Sequence, residues 1–241
     1  GRLDATFSSP RADANLKGVV RDGRFVAQGP VAVNLAEITS GLGSRLVNGL
    51  PAVGVFEKRR EDGAASLTAT GLTLPVDGDL RKLNGDFTLK FGLVRFETGG
   101  SFAGILRRLG QRDQGSLGRR VEPFHAVIKD GVMFYDRYTL PLGEFTVDTE
   151  GSVDLAERRM DVVPYIPLGA LSDEAAGRFN TGLGKLFSEL RVLDRATMLP
   201  WRTTGSFDGP RTEPDLELFV KQLGSGLNPL KLLPGAKPGG K

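Results

Sequence analysis

The 241-residue chain contains no cysteine and only one histidine. The lack of cysteine excludes disulfides, thiolate nucleophiles and cysteine-ligated metal sites. A single histidine excludes a histidine metal cluster, and a Ser-His-Asp triad would have to use His125. That residue lies in an alternating strand pattern, which favours a hydrogen-bonded or solvent-facing side chain, and no Gly-x-Ser-x-Gly elbow accompanies it. Cysteine and histidine therefore offer no catalytic residue in this sequence.

Long apolar runs and a strong excess of one charge are also missing. No segment has the length and hydrophobicity of a membrane-spanning helix, and no signal peptide opens the chain. The formal net charge is only +3, too small to indicate nucleic-acid binding. Because the chain begins abruptly at Gly1, we expect it to be part of a longer protein whose membrane anchor or export signal lies elsewhere.

Glycine and proline are abundant instead, with 33 and 14 residues, as is typical of many short strands and tight turns. The Asp-Gly and Asn-Gly pairs that begin at positions 22, 62, 77, 84, 130 and 208 lie beside or between predicted strands, and they favour antiparallel hairpins over parallel βαβ units. The predicted fold class is mainly β with a few helices (α+β). We expect a curved antiparallel β-sheet meander with short amphipathic helices packed on it.

The clearest strand pattern lies between residues 121 and 168. Phe124–Ile128 and Val132–Tyr135 predict a hairpin, and residues 144–150 alternate until Gly151 breaks the pattern. Strands are also predicted at 152–155, 159–163, 16–20, 24–27, 31–35, 53–59, 65–74, 83–96, 201–207 and 216–220.

Helical spacing is found at 38–50, 101–109 and about 172–190. Segment 111–120 is rich in arginine and is the best internal boundary. We therefore predict four regions: an N-terminal β-rich half with short helices at 1–110, an Arg-rich linker or loop at 111–120, a C-terminal meander plus helix at 121–223, and a disordered tail at 224–241.

Two further patterns could be given a chemical interpretation. One is a set of carboxylates that could form an acid/base pair or a calcium site: Asp148, Glu150, Asp154 and Asp161. Their period-2 spacing instead favours the solvent-exposed face of an amphipathic sheet. A basic cluster near the predicted 101–109 helix could contact lipid head groups or a membrane surface, or could be a solvated loop beside a packed helix. Its members are Arg107, Arg108, Arg112, Arg119 and Arg120.

Several segments together resemble the AsmA-like C-terminal region: Gly85–Phe96, Phe124–Phe134, Gly143–Leu155, Met160–Pro164 and Thr203–Asp215. The resemblance implies an envelope protein of the bacterial periplasm, anchored in the inner membrane by an N-terminal helix and linked to outer-membrane biogenesis. It further implies similarity to bridge-like lipid transfer proteins, whose curled β-sheets shield acyl chains in a hydrophobic groove. The family offers no catalytic residue.

The leading hypothesis is a non-enzymatic module that binds or conveys phospholipid or another acyl-chain lipid. Expected partners besides lipid are envelope proteins and the rest of a longer membrane-anchored chain, with no nucleic acid, metal or organic cofactor. The candidate groove residues are those of the alternating strands that are expected to face inward: Phe87, Leu89, Phe91, Phe145, Val147 and Val153. The alternative for each is that it is an ordinary residue of the hydrophobic core.

Two other functions stay open. A structural or assembly module would pair by its sheet edges with neighbouring segments or an outer-membrane partner through strand addition. A carbohydrate-active enzyme on a β scaffold would need two of the carboxylates named above to converge in a cleft.

Overall fold

The computed structural model describes residues 1–39, 56–96, 118–142, 145–167 and 198–224. These residues form fifteen strands and one α-helix: β1 (Arg2–Ser8), β2 (Ala12–Arg21), β3 (Arg24–Ala27), β4 (Val31–Leu35), β5 (Phe56–Glu57), β6 (Ala65–Pro75), β7 (Asn84–Lys90), β8 (Gly92–Phe96), β9 (Gly118–Val121), β10 (Phe124–Lys129), β11 (Val132–Leu142), β12 (Phe145–Asp154), β13 (Arg159–Pro167), β14 (Met198–Ser206), β15 (Arg211–Pro214) and α1 (Leu216–Gly224).

Twelve strands make one antiparallel sheet in the order β1-β2-β3-β6-β7-β10-β11-β12-β13-β14-β15, with β4 pairing β2 and β6 beside β3. Strands β5, β8 and β9 form a second, three-stranded sheet. The predicted antiparallel, mainly β architecture is therefore confirmed. The expectation of a few helices is too high for the described residues, where α1 is accompanied only by the 3₁₀ turns Arg60–Asp62 and Leu80–Lys82.

All the long connections of the large sheet lie at one of its two ends. At the turn end, Asp22–Gly23 and Asp130–Gly131 close hairpins with positive φ at both residues, as type I′ turns require. At the opposite loop end, the connections over 36–64, 91–123 and 168–197 leave and re-enter the sheet. The predicted hairpin of Phe124–Ile128 with Val132–Tyr135 is confirmed, and the predicted strands at 16–20 and 24–27 form another around Asp22–Gly23.

Hydrogen bonds between neighbouring turns tie the turn end together. The amide of Gly131 donates to the carbonyl of Leu83 at 3.0 Å, and the amide of Leu155 donates to the carbonyl of Gly131 at 3.0 Å. The amide of Asp130 donates to Asn84 Oδ1 at 2.9 Å. Three successive turns are thereby held side by side.

The predicted strand at 216–220 is wrong, because this segment lies in α1. Asp215 caps the helix, since its Oδ1 accepts from the amide of Leu218 at 2.9 Å. Glu217 and Lys221, one turn apart, form an ion pair at 2.8 Å. Phe219 is buried on the inner side of the helix. The local cap therefore outweighs the alternating pattern of the sequence.

The predicted break at Gly151 and the predicted continuous strand over 83–96 are also wrong. β12 continues through Gly151, where a side chain would meet the carbonyl oxygen of Asp161 on the neighbouring strand at 2.4 Å. This glycine permits a close backbone approach instead of ending a strand. Conversely, the strand predicted over 83–96 is divided at Gly92, whose φ of +67° turns the chain from one sheet into the other.

Several predictions lie outside the described residues. These are the helices at 101–109 and 172–190, most of the helix at 38–50, and the tail after Gly224. Ile38 is described, and it forms an isolated bridge with Lys58. Residues 118–120, predicted as part of the Arg-rich linker, begin β9. The regions on either side of that linker share the large sheet, because β7 pairs with β10.

The three-stranded sheet is fixed to its surroundings by a buried lysine. Lys58 Nζ donates to the carbonyls of Asp62 at 2.9 Å and Leu93 at 2.8 Å. Burial lowers the pKa of Lys58, while the nearby Asp62 carboxylate opposes that shift. Both hydrogen-bond acceptors are main-chain groups that need a donor, so Lys58 has a structural role here.

Candidate functional site

One face of the large sheet is lined by apolar side chains that the strand register brings together. Cross-strand pairs place Phe87 beside Ala126 and Ile128 beside Met133. We call this surface the apolar face. It comprises Phe87, Leu89, Phe124, Ala126, Ile128, Met133, Tyr135, Tyr138, Leu140, Val147, Thr149, Val153, Met160 and Val162.

Four of the six predicted groove residues lie on this face. Val147 and Val153 are buried, whereas Phe87 and Leu89 are partly buried. Phe91 follows β7 and is buried in a hydrophobic cluster that also contains Val153, with Phe87 and Leu89 packed against it. The last of the six, Phe145, begins β12, but its side chain is outside the described part of the chain. The register thus collects residues from β7 and β12 that are far apart in sequence.

An aromatic group at the centre of the apolar face was not among the predicted site residues. Phe124 is completely buried, and its ring lies 5.3 Å from that of Tyr135 and 5.0 Å from that of Tyr138, the latter edge to face. The alternation in Phe124–Ile128 would have indicated Phe124. The position of Tyr138 depends on a bulge between Tyr135 and Tyr138, which the sequence does not reveal.

The two tyrosines carry polar groups into this apolar surface. The Tyr135 hydroxyl lies 3.1 Å from Thr149 Oγ1, and the Tyr138 hydroxyl donates to the carbonyl of Glu122 at 3.4 Å. Burial raises the pKa of both phenols, so they stay neutral and act as hydrogen-bonding groups.

A transverse row of apolar residues extends the apolar face toward β1. Successive cross-strand pairs join one residue from each of six strands. Exposure rises along this row, from 0% at its β10 end to 58% at its β1 end, with the four residues between them partly buried. The transverse row consists of Phe124, Leu89, Leu67, Val33, Ala14 and Phe7. The apolar face is therefore covered at β10 and open to solvent at β1.

The opposite face carries the polar partners that the alternation predicts. His125 Nε2 lies 2.9 Å from Asp86 Oδ1, with both side chains at least half exposed. Arg202 donates to both carboxylate oxygens of Asp161, at 2.9 and 2.7 Å. This bidentate pair, together with hydrogen bonding to Asp215, raises the pKa of Arg202.

Each of the other predicted carboxylates has hydrogen-bonding partners of its own. Asp148 accepts from Thr139 Oγ1 at 2.6 Å and from Arg137 Nε at 2.7 Å. Glu150 accepts from the Tyr165 hydroxyl at 2.5 Å. Asp154 accepts from main-chain amides in the β12–β13 turn. Within the described ranges, no group of three or more His, Asp or Glu could hold a metal.

Arg119 and Arg120 are the two described members of the predicted basic cluster. They lie on β9, where Arg119 pairs with Val94 and Arg120 with Leu93. The remaining three, Arg107, Arg108 and Arg112, lie outside the described residues. In the part of the chain that is described, no helix is long and apolar enough to cross a membrane.

No protein-family model, curated protein or solved structure matches this chain.

Proposed function

We propose that this chain is a non-enzymatic module of a bacterial envelope protein that binds or conveys phospholipid, or another lipid with acyl chains, through a groove in its apolar face. The transverse row is the main observation that supports this proposal. Each member has a polar residue next to it in the chain, yet five of the six are not fully covered by protein. Accessible apolar side chains aligned across five strands form a strip that is unusual on a soluble domain.

The dimensions of the strip suit an acyl chain. Neighbouring strands are about 4.8 Å apart, so the part of the row from Phe7 to Leu89 extends over about 19 Å. The hydrocarbon of one membrane leaflet is about 15 Å deep, half of a typical core. Each CH₂ group removed from water contributes about 0.8 kcal/mol of favourable binding free energy, so every part of an acyl chain that lies along the row strengthens binding.

The proposed groove requires the sheet to curve around its apolar face. Phe87 and Leu89 lie between the covered residues near β10 and the solvent-accessible residues near β1. Arg119 and Arg120 are the described candidates for head-group contacts. In this proposal the module lies in the periplasm, within a longer chain anchored in the inner membrane. The resemblance to the AsmA-like C-terminal region supports that location.

Native mass spectrometry with organic extraction tests the proposal on protein purified from bacteria without detergent. We expect co-purifying phospholipid, and we expect Phe7→Asp and Val33→Asp to lower its amount at least about fivefold, because a carboxylate in the strip opposes burial of an acyl chain. Val127→Asp is the matched control, since Val127 is also an exposed apolar residue but lies on the opposite face.

Folding of each variant is checked by circular dichroism and thermal unfolding. Protein that carries no lipid and takes up no labelled phospholipid would contradict the proposal. Equal lipid loss in Phe7→Asp and Val127→Asp would contradict the assignment to the apolar face.

A second candidate function, an assembly module that pairs through its sheet edges, is favoured by β1. All seven of its residues are exposed, and it is the first strand of the large sheet. A strand of this length with a free edge is a template for pairing with another chain.

A further inference from the structure

Among the described residues, no strand pairs with the outer edge of β1, so this edge presents a regular set of unpaired main-chain groups. Gly1 and Val20 exchange hydrogen bonds of 2.8 and 2.7 Å, which marks them as a hydrogen-bonded antiparallel pair. Because such pairs alternate with non-hydrogen-bonded ones, residues 3, 5 and 7 direct their main-chain groups to β2. The N–H and C=O groups of Arg2, Asp4, Thr6 and Ser8 consequently point to the free edge.

The two edges of the large sheet differ in how they are protected. β15 has four residues, ends at Pro214, is preceded by Pro210, and is followed by α1. Short length and flanking prolines are common means of blocking an edge. β1 contains no proline, its register with β2 is regular, and its apolar residues alternate without an inward-pointing charge.

We propose that β1 pairs antiparallel with β1 of a second copy of this chain, with Ala5 facing Ala5 across a two-fold axis. This inference rests on the second candidate function and adds to it the partner and the register. In this register Arg2 pairs with the Ser8 position of the other copy and Asp4 with the Thr6 position. The main-chain groups at the free edge are then all used.

Neighbouring symmetric registers are poorer. Centring the two-fold axis on Asp4 places two carboxylates directly opposite one another, which is destabilising. Centring it on Thr6 leaves the main-chain groups of Arg2 without partners. Only the register centred on Ala5 satisfies the whole edge without opposing like charges.

The side chains on the apolar face agree with the same register. Leu3 of one copy lies opposite Phe7 of the other, so each exposed apolar residue of β1 gains an apolar neighbour. Since the two-fold axis is perpendicular to the sheet, the apolar faces of both copies lie on the same side. The transverse rows then meet at the interface, forming one continuous apolar surface.

Disulfide trapping tests the register directly, because the chain has no cysteine of its own. Facing residues in a non-hydrogen-bonded antiparallel pair have Cα atoms about 4.5 Å apart, within the range that a disulfide spans. We expect oxidised Ala5→Cys to give at least about tenfold more linked dimer than Asp4→Cys, since position 4 does not face itself. Leu3→Cys and Phe7→Cys should link when mixed and not when alone.

Sedimentation velocity of the unmodified chain supplies the second measurement, with a concentration-dependent dimer as the expected result. A chain that stays monomeric, or linkage that is equal at positions 4 and 5, would overturn the proposal. Uptake of a foreign extended peptide by a monomer would assign the edge to another partner and overturn it as well. Lipid extraction from the same samples is a separate readout: dimer without lipid contradicts only the lipid function, and lipid without dimer contradicts only the pairing.

Discussion

The hydroxyl of Tyr135 lies 3.1 Å from Thr149 Oγ1, and this hydrogen bond joins β11 to β12 inside the apolar face. Tyr135 and Thr149 are both almost completely buried. Removal of one hydroxyl leaves the other without its partner in a place that water does not reach. Such an unpaired group costs more than the hydrogen bond itself contributes.

A double-mutant cycle should reveal this coupling. We expect Tyr135→Phe and Thr149→Val each to lower the free energy of unfolding by about 1–3 kcal/mol, and the double variant to lose clearly less than the sum. Urea unfolding measures all three. Losses that add within about 0.5 kcal/mol would show that the two hydroxyls are not coupled.

Gly131 and Gly23 offer a matched pair for separating backbone strain from steric contact. Both have positive φ in an Asp-Gly turn, at +79° and +66°. A β-carbon at Gly131 would lie 2.5 Å from the carbonyl oxygen of Leu80, whereas at Gly23 it would meet nothing within 4 Å. We expect Gly23→Ala to cost about 1 kcal/mol and Gly131→Ala at least about 1 kcal/mol more. Equal thermal destabilisation would refute the contact.

The β6–β7 connection should show pH-dependent stability. A hydrogen bond from Lys82 lowers the pKa of Asp77, and a hydrogen bond from Arg81 lowers that of Asp79. A carboxyl pKa that is lower in the folded state stabilises above the ordinary carboxyl range, and this contribution is lost as the pH falls through the lowered value. The pKa of Lys82 is raised by Asp77, so its contribution is lost as the pH rises through that raised value.

NMR titration measures these pKa values one residue at a time, through the carboxyl carbons of the aspartates and the Cε atom of Lys82. We expect Asp77 and Asp79 to titrate below the values of the unfolded chain, and Asp77→Asn to return the pKa of Lys82 toward its ordinary value. An unchanged Lys82 pKa in Asp77→Asn would contradict the contact.

Phe124 and Val127 test the two faces of β10. Phe124 is fully buried, and Val127, three residues later, is 42% exposed. We expect Phe124→Ala to lower the free energy of unfolding by about 3–5 kcal/mol, and Val127→Ala to change it by about 0.5 kcal/mol or less. Denaturant unfolding measures the free energy of unfolding of both variants. A small effect at Phe124 would mean that its surroundings collapse into the space left by the ring.

The hairpins could be predicted because their causes are local. Asp22–Gly23 and Asp130–Gly131 need only two residues that tolerate positive φ between alternating segments. Gly151 has a distant cause, namely the carbonyl oxygen of Asp161 on the next strand, so the sequence suggested a break where the strand continues. At Leu216 the alternation competed with a helix cap at Asp215, and the cap prevailed.

The candidate site was harder to predict than the fold. Inward alternation was enough to select Phe87 and Val147, because each depends only on its own strand. The transverse row depends on six strands in register, and β4 and β6 are separated by a long connection. Phe7 and Ala14 belong to this row only through cross-strand pairs that no single segment of the sequence specifies.

Because all the long connections lie at one end of the large sheet, the two ends differ in how they can accept added residues. Residues inserted at the turn end would separate turns that hydrogen-bond to one another through Leu83, Gly131 and Leu155. At the loop end, lengthening an already long connection costs little additional closure entropy, because that cost grows only with the logarithm of loop length. Insertions and fused domains are therefore expected to be tolerated in the long connections of the loop end and rejected at the turn end.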